Sequence, residues 1–119
     1  MAHISGREVI KTVFIKADGR LIMLLEPANL KLNLQTLAKL LKVKQVELAN
    51  ESDFKDKFPD SEVGAMPPFG ELYGLETYID ETLAKDENIV FNGGTHTELV
   101  AMKFKDFERL SKAKKIPLH

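Results

Sequence analysis

Lys11 is the residue whose surroundings most call for a chemical explanation. Side chains alternate faces along a strand, so Val9, Lys11, Val13 and Ile15 share one face of the apolar run that contains them. Three of these four are β-branched and apolar. An ammonium among them is costly unless it meets an anion or reaches water. Either it snorkels at a sheet edge, or it is positioned to hold a phosphate or a carboxyl oxygen. The second candidate is the run Gly64-Ala65-Met66-Pro67-Pro68-Phe69-Gly70. Its prolines fix φ and lower the entropy cost of holding one loop shape, and its glycines let a ligand approach the backbone closely. Such a loop either gauges a small side chain by size or is a structural turn. The third is Phe91-Asn92-Gly93-Gly94-Thr95-His96. Paired glycines after a strand can aim backbone N–H groups at an oxyanion or phosphate; they also make plain hairpin turns. His96 can serve as a general base or stand as a surface residue.

Several chemistries are excluded. There is no GxGxxG and no P-loop pattern, no Ser-His-Asp order and no HExxH. The absence of cysteine removes thiolate catalysis, zinc-thiolate sites and disulfides together. His3, His96 and His119 show no ligand spacing, so a metal site is not expected. The net charge is -1, so any RNA contact should involve few phosphates. Glu51, Asp53, Asp56, Asp60 and Glu62 form an acidic cluster, and Lys103, Lys105, Arg109, Lys112, Lys114 and Lys115 a basic one. The two are solvated faces with a frayed tail, or the basic one follows an RNA phosphate path. The first residues lack a basic segment followed by an apolar run, and no apolar stretch approaches the roughly 20 residues of a membrane helix. A cytoplasmic protein with no membrane association is expected.

These residues need elements to position them. With 119 residues, 44% hydrophobic and 29% charged, the chain is expected to form one domain over residues 1–119. Val9 to Lys16 and Leu21 to Leu25 read as strands joined by an Asp18-Gly19 hairpin. Both are apolar on both faces, which suits central strands. Asn33 is placed to cap a helix in which Leu34, Leu37, Ala38 and Leu41 form one stripe. Val43 to Leu48 predicts a short strand, and Glu51 to Phe58 a short exposed helix ended by Pro59. Pro59 to Gly74 is irregular. Glu76 to Ile79, Asn88 to Phe91 and Thr97 to Met102 read as strands, with Asp80 either capping a turn or pairing with Lys11. Phe104, Phe107 and Leu110 mark a final helix. The order predicts an α+β fold: a mixed, mostly antiparallel, barrel-like sheet with flanking helices.

The three candidate segments, in this order and spacing, resemble the YbaK family of aminoacyl-tRNA deacylases, relatives of the editing domain of some prolyl-tRNA synthetases. Gly6-Arg-Glu-Val-Ile-Lys11-Thr-Val resembles the strand carrying that family's lysine, Gly64 to Gly70 its GxxxP loop, and Phe91 to Leu99 its later glycine turn. The resemblance runs from about Gly6 to Leu110. It implies hydrolysis of the ester joining a mischarged amino acid to the 3′-terminal adenosine of tRNA, without metal or cofactor. It implies that Lys11 contacts the substrate, that Gly64, Met66, Pro67, Pro68 and Phe69 line the amino-acid pocket, and that Gly93, Gly94, Thr95 and His96 lie near the scissile ester. The substrate's own ribose hydroxyl would largely activate the water, in keeping with the lack of a protein nucleophile. The implied partners are the tRNA 3′ end and an aminoacyl-tRNA synthetase. The alternative is a non-catalytic module that binds aminoacyl-tRNA or a synthetase.

The family carries a helix and a strand before the lysine strand, whereas Lys11 stands near the first residue here, so a domain short at its N-terminus is expected. A sheet missing that strand exposes an unpaired edge, which predicts a homodimer. The stiff Pro67-Pro68 pair predicts selectivity for a small side chain. Loss of Lys11 is expected to leave stability unchanged or slightly raised, and loss of Lys16, on the other face, to be nearly silent.

Overall fold

The computed structural model describes residues 9–59, 68–85, 87–95 and 97–118. β1 (Ile10–Ala17) and β2 (Arg20–Pro27) form an antiparallel hairpin in register from Ile10↔Pro27 to Ala17↔Arg20. Asp18 and Gly19 turn it with φ of 48° and 84°, the positive values that a two-residue turn matched to strand twist requires. The Asp18 carboxylate accepts backbone N–H bonds from Lys44, at 3.2 Å to each oxygen, and from Gln45 at 2.9 Å. It thereby ties the hairpin tip to the loop that follows the first helix.

Those donors, Gln45 first, hold the Asp18 carboxyl below the usual carboxylate range. Asp53 is lowered too, chiefly by Lys16. A depressed carboxylate adds stability that is present above its unfolded pKa of about 3.9 and is lost as pH falls through the folded value. Asp18→Asn is therefore expected to be less stable than the parent at neutral pH, with the gap closing below about pH 3.9. Chemical denaturation across pH checks this; a gap of constant size down to the acid limb would contradict it.

α1 (Leu34–Leu41) begins at Asn33, whose side chain accepts from Thr36 N at 3.0 Å, and buries Leu37. Val43 N still bonds Ala38 O at 3.1 Å, so the next strand starts later than its apolar residues suggest. β3 (Val46–Leu48) pairs antiparallel with the end of β1. α2 (Glu51–Phe54) and a 3-10 turn, Lys55–Lys57, follow, and Phe54 and Phe58 pack on Phe14 with centroids 4.2 and 5.4 Å away. β4 (Glu76–Asp80) lies parallel to β2. A 3-10 turn, Glu81–Lys85, leads to β5 (Asn88–Asn92) and β6 (Leu99–Lys103), an antiparallel ribbon. α3 (Phe104–Ser111) and β7 (Lys114–Ile116) close the chain, β7 parallel to β4.

The five-stranded sheet runs β3-β1-β2-β4-β7, with β5-β6 apart from it. The fold is α+β with a mixed sheet, as expected, but the sheet is not closed into a barrel. Both outer strands are only three residues long, and the ribbon meets β1 at a single parallel bridge, Val9↔Val90. A ladder that short cannot close a sheet. The C-terminal tail is also not frayed. β7 extends the sheet, and Ile116 and Leu118 are buried.

Period-two alternation distributes the core over two faces of the sheet. Ile10, Phe14, Met23, Leu25 and Ile79 face a layer that includes Phe54, Phe58, Phe91, Phe104 and Phe107. Ile15, Ala17, Ile22 and Leu24 face Leu37, Ile116 and Leu118. Among the described residues no helix is long and apolar enough to cross a membrane.

Candidate active site

Lys11 lies on the α1 side of the sheet, directly opposite Glu26 in the β1–β2 ladder. Its Nζ is 3.1 Å from Glu26 Oε1 and donates to the Leu30 carbonyl at 2.9 Å. Glu26 is fully buried, while the Lys11 side chain is 37% exposed. The lysine therefore does both things its sequence position allowed: it meets an anion and it reaches solvent. An ammonium has three donors. One is donated to Leu30, the charge is paired with Glu26, and the exposed side of the ammonium can be offered to a ligand.

Glu26 is the partner of Lys11 that sequence reasoning missed, and its burial changes one expectation. Removing Lys11 would take an ion-pair partner from a buried carboxylate, so a loss of stability is expected. Lys16 faces the other way and pairs with Asp53 at 2.9 Å. Asp80 takes the capping role, accepting from Thr82 N at 3.2 Å.

The glycine segment is the hairpin between β5 and β6. Gly93 N donates to Glu98 O at 3.0 Å, and Glu98 N reaches Thr95 Oγ1 at 3.1 Å. Asn92 Nδ2 donates to Thr95 O at 3.2 Å. Gly94 has φ of 113°, a conformation only glycine adopts without strain. A Cβ on Gly93 would stand 3.0 Å from Val100 Cγ2. The Gly93 N–H is thus engaged within the turn. The Val9↔Val90 bridge is parallel, so both chains leave it in the same direction, and Lys11 and Asn92 each stand two residues beyond it. The fold brings Lys11 and the glycine turn towards the same end of these strands.

Phe69 is placed differently. Its ring packs against Phe91 at 5.5 Å and Phe107 at 5.4 Å, in the core layer on the other side of the sheet from Lys11. Pro68 beside it is buried. The end of the proline loop is therefore anchored to β5, the strand that enters the glycine turn. A Cβ on Gly70 would lie 2.2 Å from Thr77 Oγ1 and 3.2 Å from Met23 Sδ, so a close crossing fixes this glycine. Gly64, Met66, Pro67 and His96 lie outside the described residues.

The chain is similar to a solved structure described as a proposed trans-editing enzyme for prolyl tRNA synthetase, at 20% identity and a TM-score of 0.84, covering 96% of this chain and 71% of the other. It is also similar to a proposed signal transduction protein from Marinobacter aquaeolei VT8, at 19% identity and a TM-score of 0.81, covering 99% of this chain but 26% of that one. At such identities these likenesses show the shared fold. No match was found among curated proteins. The sequence matches the aminoacyl-tRNA editing domain over residues 1–110, nearly its whole length, and the chain belongs to that family.

Proposed function

We propose that this protein is a trans-editing deacylase that hydrolyses mischarged aminoacyl-tRNA with selectivity for a small amino acid. Membership of the editing family supports the reaction class. The observation that carries the assignment to this chain is the Lys11 ammonium, held by a buried carboxylate and a carbonyl yet open on one side. In this reading water adds to the ester carbonyl, the bond to the ribose oxygen breaks, and an amino acid and a free 3′ hydroxyl result. Lys11 holds a phosphate or carbonyl oxygen of the substrate. Gly94 and His96 lie near the ester with Gly93 and Thr95, and the substrate's ribose hydroxyl activates the water. Gly64, Met66, Pro67, Pro68 and Phe69 shape the amino-acid pocket, Phe69 by anchoring the loop in the core. Residues 1–119 act as one domain, in the cytoplasm, alone or as a homodimer, on the tRNA 3′ end and in company with a synthetase. No metal or cofactor takes part.

A second reading is a non-catalytic module that binds aminoacyl-tRNA or a synthetase. The Lys11–Glu26 pair favours it in one respect, since an ammonium already neutralised can be purely structural. A deacylation time course over a panel of mischarged tRNAs separates the two. Alanine or serine is expected to be released faster than phenylalanine, and modestly so, because size discrimination of this kind is worth about 1–3 kcal/mol. Release equal to the protein-free control for every pair would leave the module reading. Faster loss of phenylalanine than of alanine would overturn the selectivity.

A further inference from the structure

The basic C-terminal cluster divides in the structure. Arg109 pairs with Asp106 at 3.5 Å and Lys115 with Glu108 at 3.1 Å, so part of it is neutralised on α3 itself. Lys103 and Lys105 instead join Lys85 around a surface cavity of about 410 Å³, together with Ala84, Glu87 and Phe104. All three lysines are exposed, and no carboxylate among the described residues pairs with them. Among the described residues of its wall, the three lysines stand with one acid, Glu87. Mutual repulsion makes such a grouping unfavourable in isolation, and an anion that bridges the ammonium groups relieves it.

The location adds the second argument. The cavity sits where β5 begins and β6 ends, and the glycine turn sits at the opposite end of the same ribbon. Asn88 to Asn92 are four residue steps, about 14 Å at 3.4 Å per residue. An RNA whose 3′ end lies at the glycine turn and whose strand follows the ribbon would pass the cavity a few nucleotides from that end.

We propose that the cavity bounded by Lys85, Lys103 and Lys105 is an RNA phosphate-backbone site, which holds the acceptor arm of tRNA while the aminoacylated end lies at the glycine turn. The placement of the 3′ end rests on the deacylase reading; the binding of RNA backbone by these lysines is testable without it. Lysine suits this role as a point charge that contacts phosphate without reading sequence.

The test measures binding of an uncharged RNA minihelix with a single-stranded 3′ end, by fluorescence anisotropy between about 50 and 200 mM salt. Three proteins are compared: the parent, the triple variant Lys85→Ala/Lys103→Ala/Lys105→Ala, and a control with three exposed lysines removed elsewhere, Lys39→Ala/Lys44→Ala/Lys55→Ala. The cavity variant is expected to bind more weakly and to lose about one to three from the slope of log Kd against log salt, about one per phosphate contacted. The control should lose much less. In turnover the cavity variant should raise KM for aminoacyl-tRNA with kcat kept, and should cleave a 3′-aminoacyl adenosine as the parent does. An unchanged slope and KM, or a control that behaves like the cavity variant, overturns the proposal and leaves the deacylase reading in place. Displacement of the minihelix by inorganic phosphate at constant ionic strength would reassign the cavity to small anions and overturn it as well. Lysine-dependent RNA binding by a parent that hydrolyses no ester would sink the deacylase reading and uphold the site.

Discussion

Lys11→Ala is expected to lower the single-turnover deacylation rate by about 10²–10³-fold, the roughly 2.7–4 kcal/mol that follows removal of one preorganised electrostatic contact. It is expected to lower stability as well. Glu26 is fully buried and pairs with Lys11 Nζ at 3.1 Å, and removing one partner of a buried charged group costs up to about 1–3 kcal/mol. Partial exposure of the lysine puts the loss in the lower part of that range. The two effects can be separated. Lys11→Met/Glu26→Leu removes both charges and keeps apolar volume, so its melting temperature should return towards the parent value while activity stays lost. Lys11→Arg keeps the charge but not the shape, since a planar guanidinium directs its donors differently, and should not restore the rate. Lys16→Ala breaks a half-exposed pair with Asp53 and should cost under about 1 kcal/mol with activity kept. Full activity in the double variant would reduce Lys11 to a structural residue.

The Lys11–Glu26 pairing was within reach of the sequence. A two-residue turn at Asp18-Gly19 puts residues opposite one another whenever their numbers add up to the same total as 18 and 19. Lys11 and Glu26 satisfy that condition, and the ladder confirms it. Glu26 is also the one acid in the apolar run from Leu21 to Glu26. The hairpin, the Asn33 cap and the central position of β1 and β2 were legible because each is decided by local chemistry: a turn that needs positive φ, a side chain that satisfies orphan N–H groups, and apolar residues on both faces. β7 was not legible. Lys114-Lys115-Ile116 offers one apolar side chain, and its strand conformation comes from pairing with β4 across a long separation in sequence. Closure of the sheet was equally non-local, because it depends on how far β5 runs beside β1.

In the last helix the apolar spacing marks the element without marking its whole buried face. Phe104, Phe107 and Leu110 are spaced by three, and three residues turn a helix by 300°. The stripe therefore drifts by 60° at each step and is 120° off the starting direction at Leu110. Leu110 is 56% exposed, while Ser111, almost back in line with Phe104, is buried. Of the proline loop, the described end is held through Phe69. Its position in the core depends on Phe91 and Phe107, which lie far along the chain.

Phe107→Ala is expected to give the largest stability loss of any single change considered. The ring is fully buried and sits 5.4 Å from Phe69 and 5.6 Å from Phe91. Truncating a phenylalanine in such a site costs about 3–5 kcal/mol, through lost transfer energy and the cavity left behind. At about 4 °C per kcal/mol for a chain of this size, the melting temperature should fall by roughly 12–20 °C. Phe107→Leu leaves a smaller cavity and should lose much less. Leu110→Ala, on the same helix but exposed, should be nearly silent and serves as the control. The change also reaches the site. Phe107 is the shared neighbour of Phe69, where the proline loop re-enters the core, and of Phe91, one residue before the glycine turn's Asn92. Well below its melting temperature, Phe107→Leu should therefore raise KM for aminoacyl-tRNA while leaving hydrolysis of the bound ester at the parent rate, because the loop is loosened and Lys11, on the other face of the sheet, is not. Calorimetry and steady-state kinetics on the same preparations read both effects. A Phe107→Ala protein that melts within about 4 °C of the parent, less than the loss from 1 kcal/mol or so, would show that the three rings do not form the joint between loop and turn. An unchanged KM in a clearly destabilised Phe107→Leu would show that the joint supports the fold alone.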